Sequence, residues 1–258
     1  MKDLDSLFRN RIGMSQNEVI TFENMDNVLE KTAKTFPFEN FCILEDRANE
    51  ITKDNLINKM LEHHEGGLCY ELNPLLYLFL LENGFDSRLV LGTVYSSAKQ
   101  QWSTTGKTHV AVLIKHTDKQ YLVDTGFGGN LPLKPVPLNG EIVSSSNGEF
   151  RVERVTNEEE KFIFYKKLKH KDKEWKIGYI FDLKDTTKNL SELEDIQDII
   201  KTHPDSAFNK RPLITKLTDK GSITLTDSSF TEWIDGKETK EEMDEKRFKE
   251  MKNEYFGI

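Results

Sequence analysis

Glu65-Gly66-Gly67-Leu68-Cys69-Tyr70-Glu71-Leu72-Asn73-Pro74-Leu75-Leu76-Tyr77-Leu78-Phe79-Leu80-Leu81 first turns sharply and then commits to a helix with almost no polar face. The two glycines let the chain fold back on itself. The apolar run from Leu75 to Leu81 has no face to offer water, so the helix must be buried on all sides. It stops at Asn83-Gly84. Pro74 removes one backbone hydrogen bond if the helix begins at Cys69. Either the first turn is kinked, or the regular helix starts at Pro74 with Asn73 as its cap. A thiol at a helix start feels the positive end of the dipole, which favours the thiolate.

Working outward, the first third of the chain reads as helical. Met25, Val28, Leu29 and Thr32 recur at i, i+3, i+4 and i+7. Leu56, Ile57, Met60 and Leu61 form a second stripe, capped by Thr52 and ended by Gly66-Gly67. From Ser87 the pattern changes to short β-rich runs between polar turns: Arg88–Tyr95, His109–Ile114, Gln120–Thr125, Phe150–Val155, Lys161–Leu168 and Trp175–Asp182. Such a sheet can close into an antiparallel barrel. A helix near Leu193–Lys201 follows, then strands Leu213–Leu217 and Ser222–Thr226, then a charged amphipathic helix over Glu238–Tyr255 with Met243, Phe248 and Met251 inward. The order predicts an α+β chain in three units: helices over 1–86, a sheet over 87–188 and a small α/β unit over 189–258.

The 258 residues suffice for such a plan, and 36% hydrophobic with 31% charged content fits a globular protein rather than a disordered one. A net charge of −8 argues against general nucleic-acid binding and against docking on an anionic membrane. No apolar run approaches the ~20 residues that span a bilayer. The start, Met1-Lys2-Asp3-Leu4-Asp5, lacks the apolar stretch of a secretion signal. Two cysteines, Cys42 and Cys69, exclude a disulfide scaffold and make a reducing cytoplasm the expected compartment.

The chemistry gathers around Cys69. Downstream lie Thr108-His109-Val110 and Val123-Asp124-Thr125-Gly126, so a thiol, an imidazole and a carboxylate follow in chain order. A four-residue loop Lys115-His116-Thr117-Asp118 would set Val112 against Tyr121, Val110 against Val123 and His109 directly opposite Asp124. Opposed Cβ atoms in such a ladder lie about 4.5–5.5 Å apart, within hydrogen-bond reach of their side chains. Taken singly, His109 can be a satisfied strand-end histidine and Asp124 a turn former. Those readings leave the matched register unexplained. Cys42, in Phe41-Cys42-Ile43-Leu44, reads as core packing. His63-His64 has no accompanying Cys/His ligand set, so no metal is expected. Gly126-Phe127-Gly128-Gly129 has the wrong shape for a dinucleotide fingerprint. It reads as a flexible loop or a plain turn.

Together with Pro37-Phe38-Glu39-Asn40, Ser103-Thr104-Thr105-Gly106-Lys107-Thr108-His109, Val123-Asp124-Thr125-Gly126-Phe127-Gly128-Gly129 and His203-Pro204-Asp205-Ser206-Ala207-Phe208, the Cys69 run resembles the arylamine N-acetyltransferase family along most of the chain. The resemblance implies an N-terminal helical bundle, a central antiparallel β-barrel, a C-terminal α/β lid and a papain-like triad. It implies Cys69 as acetyl acceptor, His109 as base and Asp124 as the group orienting the base. It also implies acetyl-CoA as acyl donor along a channel at Thr105 and Gly106, and an acceptor pocket bordered by Thr108 and Phe127. The expected partners are small arylamines, arylhydrazines or N-hydroxyarylamines, in xenobiotic metabolism, with no metal. Lys99, Lys107, Lys210 and Arg211 are candidates for the CoA phosphates, or are ordinary surface charges. Two positions depart from the family pattern: Glu65 stands where an arginine that partners Glu39 is usual, and Leu68 where an aromatic is usual. The rival readings are a transglutaminase-like or papain-like hydrolase, a biosynthetic amide-forming acyltransferase, and a non-enzymatic thiol sensor or ligand-binding module.

Overall fold

The computed structural model describes residues 3–258, so Met1 and Lys2 of the acidic start lie outside the described residues. Helix α1 (Leu4–Ile12) is capped by Asp3, whose carboxylate accepts from Ser6 N at 3.2 Å. Helix α2 (Met25–Thr35) buries the expected stripe of Met25, Val28, Leu29 and Thr32. A short strand β1 (Phe38–Glu39) and the turn-length helices α3 (Phe41–Leu44) and α4 (Lys53–Leu56) follow. Thr52 Oγ1 caps α4 on Asn55 N at 3.2 Å.

One boundary differs from the sequence reading. The second stripe loosens into a π-helix over Ile57–Glu62 and ends at His63 and left-handed His64 (φ 60°), ahead of the glycines. Gly66 and Gly67 serve a different purpose. Gly67 N donates to Pro37 O (3.2 Å) and Gly67 O accepts from Glu39 N (3.0 Å). A Cβ on Gly66 would lie 2.1 Å from Pro37 O, so only glycine allows this approach. Helix α5 (Cys69–Glu82) starts at Cys69 and carries Pro74 inside it. The long helix therefore begins at the thiol, and burial of nearly every residue through Leu80 keeps it helical despite the missing Pro74 donor; only Leu78 is half-buried there, and Leu81 beyond it is exposed. It ends at Asn83-Gly84.

The barrel sheet comprises β2 (Asp86–Ser96), β3 (Gln101–Trp102), β4 (His109–His116), β5 (Lys119–Val123), β6 (Val136–Pro137), β7 (Val143–Ser145), β8 (Gly148–Arg154), β9 (Lys161–Leu168) and β10 (Lys176–Thr187). Its order is β6-β5-β4-β2-β10-β9-β8-β7, antiparallel throughout and nearly closed, with β3 paired to β2. Strand β4 is buried on both faces, hence its unbroken apolar run. Val110, Val112 and Ile114 pack with the helices, while Ala111 and Leu113 face the barrel interior with Phe150, Phe164 and Tyr179.

The β4–β5 hairpin corrects the expected register. Its loop is two residues, Thr117-Asp118, with Thr117 in the left-handed region (φ 54°), and Val112 pairs Val123 while Ile114 pairs Tyr121. The shift is two residues, which preserves which side chains share a face. Continued along the strands, this register sets Gly126, not Asp124, across from His109.

The C-terminal unit holds α6 (Glu194–Thr202) and a sheet of order β1-β11-β12-β13-β14 built from β11 (Leu213–Thr218), β12 (Gly221–Thr226), β13 (Ser229–Ile234) and β14 (Lys237–Glu242). Strand β1 stitches the first third of the chain into this lid, with Phe38 paired to Thr215. The expected Glu238–Tyr255 helix begins as strand: β14 turns back from β13 through Asp235-Gly236, both at positive φ, the Asp-Gly signature of a tight hairpin. Its exposed Lys and Glu side chains protect a sheet edge. Helix α7 (Glu245–Phe256) then starts at the Asp244 cap and buries Met251 and Phe256. No helix among the described residues is long and apolar enough to cross a membrane.

Phe164 is fully buried, stacked on Phe150 and Tyr179 in the barrel. Replacing it by alanine should cost about 3–5 kcal/mol in urea unfolding. A loss under 1 kcal/mol would mean that the barrel interior is loosely packed.

Candidate active site

Three elements deliver three groups to one buried point. The thiol is the first helical residue of α5, 7% exposed. Its Sγ donates to Thr108 O at 3.5 Å. His109 opens β4 and Asp124 follows β5, both buried. His109 Nε2 donates to Asp124 Oδ2 at 2.7 Å, which leaves Nδ1 as the ring nitrogen free for the sulfur.

Asp124 is fully satisfied without water. Its Oδ2 accepts from His109 and from Tyr179 OH (2.9 Å), and its Oδ1 from Asn73 Nδ2 (2.9 Å) and Gly126 N (2.8 Å). Asn73 also donates to Val110 O (2.6 Å) and accepts from Thr125 N (2.9 Å), tying α5 to β4 and to the loop after β5. Burial alone would pull the imidazole toward neutrality. The charge and hydrogen bond of Asp124, joined by the Cys69 sulfur, outweigh it and push His109 up to about 10. Burial, with Asp124 adding to it, keeps the Tyr179 phenol protonated well above its ordinary range, so Tyr179 remains a donor.

The other sequence candidates divide. Thr108 is buried beside Cys69 and its hydroxyl meets that of Thr105 at 2.9 Å; Ser103 Oγ lies 2.7 Å from Thr105 Oγ1. Gly106 (φ 71°) completes this loop. Phe127 packs its ring 5.0 Å from His109 and 5.2 Å from Tyr179. Lys107 is paired with Asp185 at 2.7 Å, and Lys99, Lys210 and Arg211 are exposed. Three contributors escaped the sequence reading. Asn73 lies one turn from Cys69 at i+4, a spacing that puts both on one helix face. Tyr179 comes from a distant strand, and no local pattern marks it. Lys59 is the third.

Lys59 answers the Glu65 departure. Glu39 is buried, its Oε2 accepts from Phe41 N (2.6 Å), and its Oε1 lies 3.7 Å from Lys59 Nζ. Lys59 also meets Glu71 Oε1 at 2.6 Å. Glu65 turns away to Arg47 (3.4 Å) and Cys42 Sγ (3.5 Å). Burial pushes the Cys42 thiol up to about 11, opposed by Lys59 and reinforced by Glu39, Glu71 and Glu65. Among the described residues no cluster of His, Cys, Asp and Glu is placed to hold a metal ion.

A helical bundle, a barrel and a lid around a thiol, an imidazole and a carboxylate define an α+β enzyme with a papain-like triad. The comparisons agree. An N-acetyltransferase family model matches residues 21–258. An uncharacterized acetyltransferase of Bacillus subtilis (strain 168) is 39% identical over 226 residues, covering 88% of this chain and 86% of that one. A Bacillus cereus arylamine N-acetyltransferase, described as having a Cys-His-Glu catalytic triad, superposes with a TM-score of 0.91 at 38% identity, covering 100% of this chain and 99% of that one. Arylamine N-acetyltransferase C of Bacillus anthracis gives a TM-score of 0.93 at 37% identity, with 100% and 99% coverage. The chain belongs to the arylamine N-acetyltransferase family and is an acyltransferase.

Two expectations follow from this geometry. A Cβ on Gly126 would fall 2.7 Å from both Cys69 Cα and Asn73 Nδ2. Gly126→Ala should therefore lower turnover on the order of 100-fold through displacement of the thiol. Unchanged turnover in a folded variant would show that the loop is free to move. The second concerns pH. His109 is raised in the fold from 6.5 to about 10, so its protonated ring stabilises fully below 6.5, and that contribution is lost as pH rises through about 10. Urea unfolding across this window should show the decline in the parent and a much smaller one in Asp124→Asn. Equal slopes would remove the ion pair from the account.

Proposed function

We propose that the chain transfers an acetyl group from acetyl-CoA to small arylamines, arylhydrazines or N-hydroxyarylamines through an acetyl-Cys69 intermediate. The observation that carries this reading is the clamped imidazole: Asp124 holds Nε2 and leaves Nδ1 to Cys69. A protonated ring beside the sulfur favours the thiolate. Family membership supplies the acyl-transfer class. The named activity of a Salmonella typhimurium relative, 31% identical over 205 residues, as an arylamine N-acetyltransferase / N-hydroxyarylamine O-acetyltransferase supports the acceptor class.

In the first half-reaction the Cys69 thiolate attacks the thioester carbonyl carbon. The carbon–sulfur bond to CoA breaks, and the departing CoA thiolate takes the proton from His109. In the second, the amine nitrogen attacks the acetyl carbon on Cys69, and His109 takes its proton as the Cys69–carbon bond breaks. The product amide leaves, and the thiolate and imidazolium are restored. The first N–H groups of α5 have no carbonyl partner one turn earlier and are the donors we assign to the developing oxyanion. Asp124 orients the ring, and Tyr179 and Asn73 orient Asp124.

The acceptor side is aromatic. Phe127 lies against His109, and Phe38 and Phe208 meet edge to face at 5.5 Å across the boundary with the lid. An aryl ring suits such walls, and a weakly basic arylamine is neutral when it arrives. Thr108, buried beside the thiol, borders the acceptor side with Phe127, and Thr105 and Gly106 of the same loop line the side where the acyl donor enters.

Brief exposure to acetyl-CoA without amine should add one acetyl group, on Cys69, by mass spectrometry of peptides. Cys42 should stay unmodified. Initial rates at varied donor and acceptor should give parallel lines. Intersecting lines, or parental turnover in Cys69→Ala, would refute the acetyl-enzyme route. Peptide cleavage with no acetyl uptake would instead make the protein a thiol hydrolase.

A further inference from the structure

The mechanism above leaves a partly buried cation, Lys59, unused. Lys59 sits on the π-helix Ile57–Glu62, beside the first turn of α5, with its side chain 14% exposed. Its ammonium lies between two buried carboxylates that grip the Cys69 loop from different elements. Glu71 takes Lys59 on Oε1 (2.6 Å) while its Oε2 accepts from Leu68 N (3.0 Å), the residue before Cys69. Glu39, on β1, donates its backbone N–H to Gly67 O. Its Oε1 is buried without a hydrogen-bond partner, and the Lys59 ammonium lies 3.7 Å away. Both acidic side chains pack on the glycines: a Cβ on Gly66 would lie 2.9 Å from Glu39 Cγ, and one on Gly67 2.9 Å from Glu71 Oε2.

We propose that Lys59 is a positioning residue for the nucleophile: one ammonium, bridging Glu39 and Glu71, fixes the Gly66-Gly67-Leu68 segment and with it the direction of the Cys69 thiol. The proposal rests on Cys69 being the acetyl acceptor, and it goes beyond that reading by assigning the group that aims it. The electrostatic logic is simple. Burial disfavours the ionised form of Glu39 and of Lys59 alike, and each opposes that effect in the other. Without the lysine, the buried Glu39 carboxylate is left beside that of Glu71 with no cation between them, an unfavourable arrangement. They relieve it by parting or by taking up a proton, and either response loosens the cap on α5. A helix start displaced by a fraction of an ångström misaims both the sulfur and the N–H groups beside it. The cavity next to Lys59, about 220 Å³ and bordered by Cys42, Asn55, Lys59, Glu65 and Glu71, offers a handle on this arrangement.

The test reads Cys69 directly. Lys59→Met should slow both iodoacetamide alkylation of Cys69 and acetyl-Cys69 formation about 10- to 100-fold. The KM for acetyl-CoA should change little. Lys59→Arg should recover most of the rate. In Lys59→Ala, n-propylammonium entering through the cavity should restore alkylation in a saturable way, whereas neutral propanol should not. Parental alkylation rate and pH profile in Lys59→Met, with only a lowered Tm, would overturn the proposal and leave an ordinary structural ion pair. If the Met variant does not fold, Lys59→Gln keeps a donor for Glu71 without the charge. It should show the same slowing, and a parental rate there overturns the proposal equally. Wild-type protein that takes no acetyl from acetyl-CoA, yet alkylates in a Lys59-dependent way, would refute the acetyl-transfer reading while leaving the positioning role standing.

Discussion

Asp124 is the interaction on which the rest of the structure turns. Its carboxylate side chain has no exposure to solvent, and burying such a charge unpaired costs several kcal/mol. Four donors offset that cost, and they arrive from four places: β4 through His109, β10 through Tyr179, α5 through Asn73, and the loop after Asp124 through Gly126. None can be removed without stranding a buried oxygen or its partner. The barrel can therefore not close properly unless α5 lies against it, and α5 cannot lie there unless the loop Thr125-Gly126 is in place. Site and fold form one cooperative unit, in which the chemistry is a by-product of satisfying a buried charge.

That dependence explains what the sequence made legible. The sharp turn at the glycines, a thiol near a helix start and the apolar run of β4 are local facts that local physics reads, but it does not tell that the preceding helix ends before the glycines or that α5 begins at Cys69 rather than Pro74. The His109–Asp124 pair was reached through a hairpin register that is off by two residues. An even shift leaves Val110, Val112, Tyr121 and Val123 on the same face, so the apolar pattern cannot tell the two registers apart. The turn decides between them, and Thr117 holding a left-handed conformation has no strong sequence signature. The pair still forms: the ladder ends at Val112 and Val123, and Asp124 just beyond it meets His109 at 2.7 Å. Tyr179 lay beyond reach, since its role depends on a barrel closing over fifty residues of chain. The Asp235-Gly236 turn carries a hairpin signature of its own, whereas the Glu- and Lys-rich tail after it reads as helical. There an edge strand won because β13 offered a ladder and the charges suit an exposed sheet edge.

The Bacillus cereus relative, described as having a glutamate in its triad, shares this fold at 38% identity. A glutamate is one methylene longer than Asp124. In this chain the space that methylene would need is taken: Tyr179 and Asn73 close on the carboxylate at 2.9 Å, and Gly126 N caps it at 2.8 Å. A longer acid thus requires the surrounding donors to be set further back. In the triad we propose, the third member is better described as a charge at a fixed distance from the ring than as a residue type. The neighbouring donors determine which acid fits.

The two cysteines make the same point about reactivity. Each is 7% exposed, so access to solvent does not distinguish them. Burial, reinforced by Glu39, Glu71 and Glu65, pushes the Cys42 thiol up to about 11, and a Glu65 carboxylate oxygen lies 3.5 Å from its sulfur. Cys69 faces the imidazolium and sits at the positive end of α5. Lys59 stands between the two environments. Its charge opposes the burial and the acidic neighbours that raise the Cys42 thiol. Charge placement on either side of a single loop thus gives two sulfurs at equal depth different electrostatic surroundings.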